Sequence, residues 1–307
     1  MSKLVARIGV PALAVLALAG CGSSSSSTSS STATTTTATT TTASTATSEV
    51  ASIAAQVPGA IKAKGTLTVA TEAQYAPNEF LASDGHTIIG MDADMVKALG
   101  EVMGLKVQLV NADFEAIIPG LKAGRYDLGA SSFTDTKERE KVVDFVDYYS
   151  AGISFYAKSS TSPGVNELAD LCGKTAAVEK GTVEQEEAEK QSKSCTKEGK
   201  KAVSVLSFPG QDAVNLAVSS GRAELGMADS PVVAYQIKVN NGLFKLIGKS
   251  YAFAPYGLAI PKTSGMTQPI FAALKELIAN GTYLKILEKW GIQSGAIKEA
   301  KINGAIS

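Results

Sequence analysis

Residues 111–139, NADFEAIIPGLKAGRYDLGASSFTDTKER, decide the fold. Ile117, Ile118 and Leu121 fall on one helical face, and Ala123-Gly124 is a stop signal. Asp127-Leu128-Gly129-Ala130 is short and apolar enough for a buried strand. Ser131, Ser132 and Thr134 then place hydroxyls and free backbone N–H groups just past the strand's carboxyl end. In open α/β sheets that is where ligands bind. Arg139 closes the stretch, and its planar guanidinium suits a small carboxylate held by two parallel hydrogen bonds.

The flanking sequence repeats the alternation of helix and strand. Val50 to Lys64 reads as a short helix broken at Pro58-Gly59, and Thr66 to Ala70 as a strand with Glu72 and Tyr75 at its end. Ile88 to Gly90 is extended. Asp92 is expected to cap a helix carrying Met95, Leu99, Val102 and Met103 and ending at Gly104, before a strand at Val107 to Val110. Val142 to Tyr156 is an apolar, aromatic segment. A second alternation then runs through strand Thr175–Val178, a charged helix opened by Gly181-Thr182, strand Val203–Leu206, helix Gln211–Ser219 and strand Glu224–Ala228. Asp229 follows, and Pro231 starts the next helix. Leu243 to Ile247 and Tyr251 to Ile260 are extended, and two amphipathic helices close the chain. The class is α/β with largely parallel sheets, and no internal repeat is evident.

The chain has 307 residues, with 29 Lys+Arg against 29 Asp+Glu, so net charge gives no argument for nucleic acid or an anionic membrane. The N-terminus differs from the rest. Lys3 and Arg7 precede an apolar run from Val10 to Ala19, a secretory signal too short for a comfortable membrane span. Leu18-Ala19-Gly20-Cys21 resembles the bacterial lipoprotein signal, in which Cys21 becomes the lipidated first residue. Residues 22–48 are almost wholly Ser, Thr and Ala, which bury too little apolar surface to offset ordering entropy. They read as a disordered tether, compatible with a glycosylated stalk. Cys172 and Cys195 remain, and two cysteines in an exported protein favour a disulfide. The single histidine, His86, sits in the turn Ser83-Asp84-Gly85-His86, which argues against zinc.

Taken together, DFEAIIPGL, GRYDLGASSFTDTKERE and VVDFVDYY resemble the polar amino-acid-binding proteins that serve ABC importers. ATEAQYAPNEF, GMDADMVKALGEVMG, GRAELGMAD and GTYLKILEKWG match the same family in the same order, covering most of residues 60–292. The resemblance implies a two-lobed periplasmic-binding-protein type II fold. Each lobe is an open, mostly parallel sheet flanked by helices, and the lobes are joined by a two-strand hinge. The implied divisions are a signal peptide over 1–20, a tether over 21–57, lobe one over 58–156 and 250–307, and an inserted lobe two over 157–249. The chain then crosses between lobes near Ser154 to Lys158 and back near Lys249 to Phe253.

The same resemblance assigns the ligand. Arg139, Ser132 and Thr134 match positions that hold the α-carboxylate of a free amino acid, and Asp229 matches the one that takes its ammonium. Phe114 and Tyr75 match aromatic positions that sandwich the ligand, and Ser131 lines the same site. Glu72 matches an acid near the ligand's side chain, which favours a basic amino acid or glutamine and repels another carboxylate. Glu179 lies where members differ with ligand, Thr182 opens a helix whose N-terminus offers N–H donors, and Val183 stands where Thr or Gly is common. With no spare histidine, nucleophile elbow or P-loop, the expectation is a binding protein and no enzyme. It is expected to act as a monomer without metal or cofactor, bound to the membrane only through its lipid, exported, and partnered by importer permease subunits. A sensor presenting its ligand to a signalling receptor, or a dehydratase on the same fold, are the alternatives.

Overall fold

The computed structural model describes residues 48–306, which lie within one compact unit. The predicted signal peptide, Cys21 and all but the end of the Ser/Thr tether lie outside the described residues. The elements of the first half are α1 (Ala51–Ala54), α2 (Gly59–Lys64), β1 (Thr66–Thr71), β2 (Gln74–Tyr75), β3 (Glu79–Leu81), β4 (Ile88–Ile89), α3 (Met91–Val102), β5 (Lys106–Asn111), α4 (Phe114–Lys122), β6 (Leu128–Gly129), α5 (Lys137–Glu140) and β7 (Val143–Lys158). The second half adds β8 (Thr175–Glu179), α6 (Val183–Lys197), β9 (Ser204–Phe208), α7 (Gln211–Ser219), β10 (Leu225–Asp229), α8 (Ser230–Val239), β11 (Phe244–Pro261), α9 (Thr267–Ala279), α10 (Thr282–Trp290) and β12 (Lys301–Ile302).

The long strands β7 and β11 pair antiparallel through the middle of one sheet, ordered β5-β1-β6-β11-β7-β10-β8-β9 with β12 beside β7. On one side β5, β1 and β6 run parallel; on the other β10, β8 and β9 do. Each parallel set has helices on both faces, as sheets buried on both sides require. In lobe one, Leu67 and Val69 pack with Leu99 of α3 and Leu274 of α9, while Phe114, Ile117 and Leu121 of α4 cover the opposite face with Phe145. In lobe two, Val178, Ala188 and Met227 form one core and Val214, Val218 and Val232 the other.

β7 passes from the lobe-one core to the lobe-two core between Ala151 and Ile153, just ahead of the expected Ser154 to Lys158. Opposite it, β11 shifts register around Tyr251, and Ala252 adopts φ 49. These two strands form the hinge. The Cys172–Cys195 disulfide is formed and ties α6 to the turn before β8.

Two local expectations are corrected. Ile53 and Val57 are buried in the lobe-one core and the Val50 N–H donates to the Val102 carbonyl at 3.0 Å, so the folded body begins ahead of the drawn boundary at residue 57. Apolar residues buried there hold the chain where the Ser/Thr composition has already ended. Asp92 does not cap α3. Gly90 occupies the cap position, at φ 129, because a Cβ there would run into the Asn78 backbone. Asp92 is instead buried within the first turn, where it accepts the Ser132 N–H from the loop after β6.

Candidate functional site

Between the lobes lies a small cavity. All ten residues singled out from sequence line it: Glu72, Tyr75, Phe114, Ser131, Ser132, Thr134 and Arg139 from lobe one, and Glu179, Thr182 and Asp229 from lobe two. Val183 joins them, as do two residues that sequence reasoning missed, Glu79 and Glu184. Glu79 sits in a short strand without an apolar alternation to mark its inward face. Glu184 opens a helix that also carries Glu186, Glu187 and Glu189, so it reads as one more solvated acid at a helix N-terminus.

The lobe-one wall is built on buried carboxyls. Ser131 Oγ accepts the Glu72 N–H at 2.9 Å and donates to Glu79 at 3.0 Å. The Ser132 N–H, expected to be free, donates to Asp92 Oδ2 at 2.7 Å, and its hydroxyl lies 3.2 Å from Glu79. Asn78 donates to Ser132 Oγ at 2.9 Å, and the Tyr148 hydroxyl to Asp92 at 2.6 Å. Ser132 holds φ 49, a conformation uncommon for a side-chain-bearing residue and pinned here by these bonds. Burial, then the neighbouring Asp92 charge, pushes Glu79 well above the usual carboxylate range, and burial raises Asp92 as well. A proton shared between the two removes the repulsion.

Arg139 stands on α5, whose first turn Thr136 caps by accepting the Arg139 N–H at 3.2 Å. Its guanidinium donates to the Thr134 carbonyl at 2.8 Å and, across the cleft, to the Gly181 carbonyl at 3.0 Å. It also lies 5.5 Å from the Phe114 ring centre and 5.6 Å from that of Phe133, and the two rings stack at 4.5 Å. Gly181 is at φ 82, and a Cβ there would sit 2.9 Å from that of Glu115, so glycine permits both the turn and the approach of the lobes. Lys180 closes the same edge with an exposed ion pair to Glu115 at 2.9 Å.

On the lobe-two wall, Thr182 caps α6, accepting the Gln185 N–H at 3.3 Å and donating to the Glu179 carbonyl at 2.7 Å. Asp229 precedes α8 but makes no capping bond. Its Oδ2 accepts the Tyr75 hydroxyl from lobe one at 2.9 Å, while its N–H donates to that same oxygen at 3.1 Å. Burial pushes Asp229 up to about 6 against the opposing pull of the tyrosines and Arg139. Burial likewise raises Glu72 to about 8, aided by the charges of Asp212 and Asp113, and lifts Glu179 and Glu184 well above their ordinary range. Five carboxyl side chains thus face one guanidinium across the cavity. Such a surplus is costly unless protonated or met by cations. Among the described residues, no group of three or more His, Cys, Asp or Glu side chains is placed to hold a metal ion.

Comparison with known proteins agrees with this architecture. Residues 67–293 match the bacterial extracellular solute-binding proteins, family 3, and the chain belongs to that family. It is 38% identical over 255 residues to the arginine-binding protein ArgT of Corynebacterium glutamicum, spanning 83% of each chain. The solved structure of an ancestral arginine-binding protein bound to arginine superposes with a TM-score of 0.68 at 34% identity, covering 74% of this chain and 98% of that one. The ancestral amino acid-binding protein AncCDT-1, a precursor of cyclohexadienyl dehydratase, gives 0.65 at 32% identity over 75% of this chain and 97% of that one. The fold is accordingly that of the type II periplasmic binding proteins.

Proposed function

We propose that this protein captures a free polar L-amino acid, a basic one before glutamine, by closing lobe two over lobe one, and delivers it to an ABC importer. The supporting observation is the charge inventory of the cavity, with Arg139 as its one guanidinium and five carboxyls around it. Arg139 with Ser132 and Thr134 would hold the α-carboxylate, Asp229 the α-ammonium, and Glu72 with Glu179 a cationic side chain. Phe114 and Tyr75 would enclose it, with Ser131 and Thr182 lining the ends. A zwitterion with a second cation is the ligand that meets most of these charges. The relatives named for arginine support the same choice.

A thermal-shift screen of the twenty amino acids tests the reading, because a ligand bound only by the folded state raises apparent stability. Arginine and lysine should raise the melting temperature most, glutamine less, and glutamate not at all. A best response to glutamate, or none to any amino acid, contradicts it. We also assign the protein to the outer face of the cell membrane, anchored through Cys21. Cys21→Ala should release the exported protein into the soluble fraction, and a mutant that stays on membranes after a high-salt wash would rule the anchor out.

A further inference from the structure

Glu184 has a place that the amino-acid reading does not use. It shares the inward stripe of α6 with Ala188, which packs in the lobe-two core, but lies at the helix end that borders the cavity. It is 2% exposed and its Oε1 has no hydrogen-bond partner. Asp229 from β10, Glu179 from β8, Tyr75 from β2 and Arg139 from α5 line the same cavity, with Tyr251 and Tyr256 of β11 within reach of the charges on Glu184 and Asp229 respectively. Arg139 is the cation among them, and it is engaged by the Thr134 and Gly181 carbonyls. A buried carboxylate beside Asp229 with no free cation is unfavourable, and one proton held between the two acids removes that penalty.

We infer that Glu184 and Asp229 together form a two-carboxyl seat for the ligand's α-ammonium, and that the incoming ammonium displaces the proton the pair holds. The inference rests on the reading of Asp229 as the ammonium's partner. The exchange is balanced: the ammonium enters with its own three N–H groups, and the displaced proton leaves to solvent. Capture is therefore coupled to pH, weakening as acidification returns the proton to the seat. The facing tyrosines stay neutral across this range because burial raises them further. Glu72, Glu79 and Glu179 add protons of their own to the total, so the contribution of Glu184 must be read as a difference.

Calorimetry of arginine binding in two buffers of different ionisation enthalpy counts the protons released. Wild type should release about one more than Glu184→Gln, and Glu184→Asp, which keeps the carboxyl, should restore the release. Glu186→Gln, at an exposed position two residues on, should match wild type. At pH 8, Glu184→Gln should bind on the order of 10- to 100-fold more weakly, as for loss of a hydrogen bond to a charged group. That ratio should narrow toward pH 5, where wild type itself loses the seat. Equal proton counts in wild type and Glu184→Gln, or a ratio constant with pH, overturn the inference while leaving the amino-acid reading standing. A wild type that binds no amino acid overturns both.

Discussion

The two walls of the cleft are made of similar residues in opposite states. On lobe one, Ser131, Ser132 and Tyr148 bond Glu79 and Asp92, and Asn78 bonds Ser132, so these two carboxyls are satisfied from within. On lobe two, Glu179 and Glu184 are each 2% exposed and each keeps one oxygen without a partner. The difference separates a scaffold from a receptor. On the proposed reading, lobe one would fix where a ligand rests, and lobe two would present charge for it to complete. Closing an unmatched acidic wall over an empty cleft is unfavourable; closing it over a cation is not.

The largest effect should come from removing one charge from each wall. Arg139→Ala and Asp229→Ala should each weaken binding by roughly 2–5 kcal/mol, the loss typical of truncating one partner of a buried, hydrogen-bonded charge pair. Calorimetry with the best ligand reads this directly, and both variants should stay folded because both residues sit at the ends of elements rather than inside a core.

The walls should then part company in stability. Asp92→Ala strands the buried Tyr148 hydroxyl and the Ser132 N–H, and should cost about 1–3 kcal/mol of ligand-free stability. Glu179→Gln should do the reverse. Glu179 is raised by burial, so the folded protein binds a proton there that the unfolded chain has lost above its ordinary value of 4.5. Wild-type stability therefore falls as pH rises from that value, and the glutamine variant escapes the loss. Ligand-free melting curves should show its advantage growing from pH 5 to pH 8.5, alongside weaker arginine binding. An advantage that shrinks as pH rises would mean Glu179 is a satisfied charge and the walls are alike. The smallest expected change is in Glu72→Gln, which should reorder side-chain preference, weakening arginine and lysine more than glutamine in the same screen, while leaving recognition of the shared amino-acid backbone in place.

Much of this was legible from residues alone. Alternating apolar strands and capped helices carry the topology because each buries a face with its own period, and α7 runs over the predicted Gln211 to Ser219. The ten candidate residues lie just past strand ends or at helix starts, positions that turn signals mark. What escaped was the direction of acidic side chains. Asp92 looks like a cap and Glu184 like a surface charge, since a helix N-terminus favours acids whether they face water or a cavity. Only the packing of α6 against β8, and of α3 behind the Ser131-Ser132 loop, decides which way they point. The start of the body was missed for a related reason: Ile53 and Val57 are too sparse to announce a core until α9 is beside them.

The claim that joins these observations is that opposed charges on the two lobes clamp the backbone of one amino acid. Calorimetry on wild type with arginine and with arginine amide tests it most directly. Measured about one pH unit below the usual α-amino pKa of roughly 7.7, the amide keeps both cations and removes only the carboxylate charge. The clamp predicts that the amide binds at least roughly 30-fold more weakly, the lower end of a 2–5 kcal/mol loss, because Arg139 then faces a neutral group. Equal affinity for the two would show that Arg139 does not hold the α-carboxylate, and the clamp would be wrong.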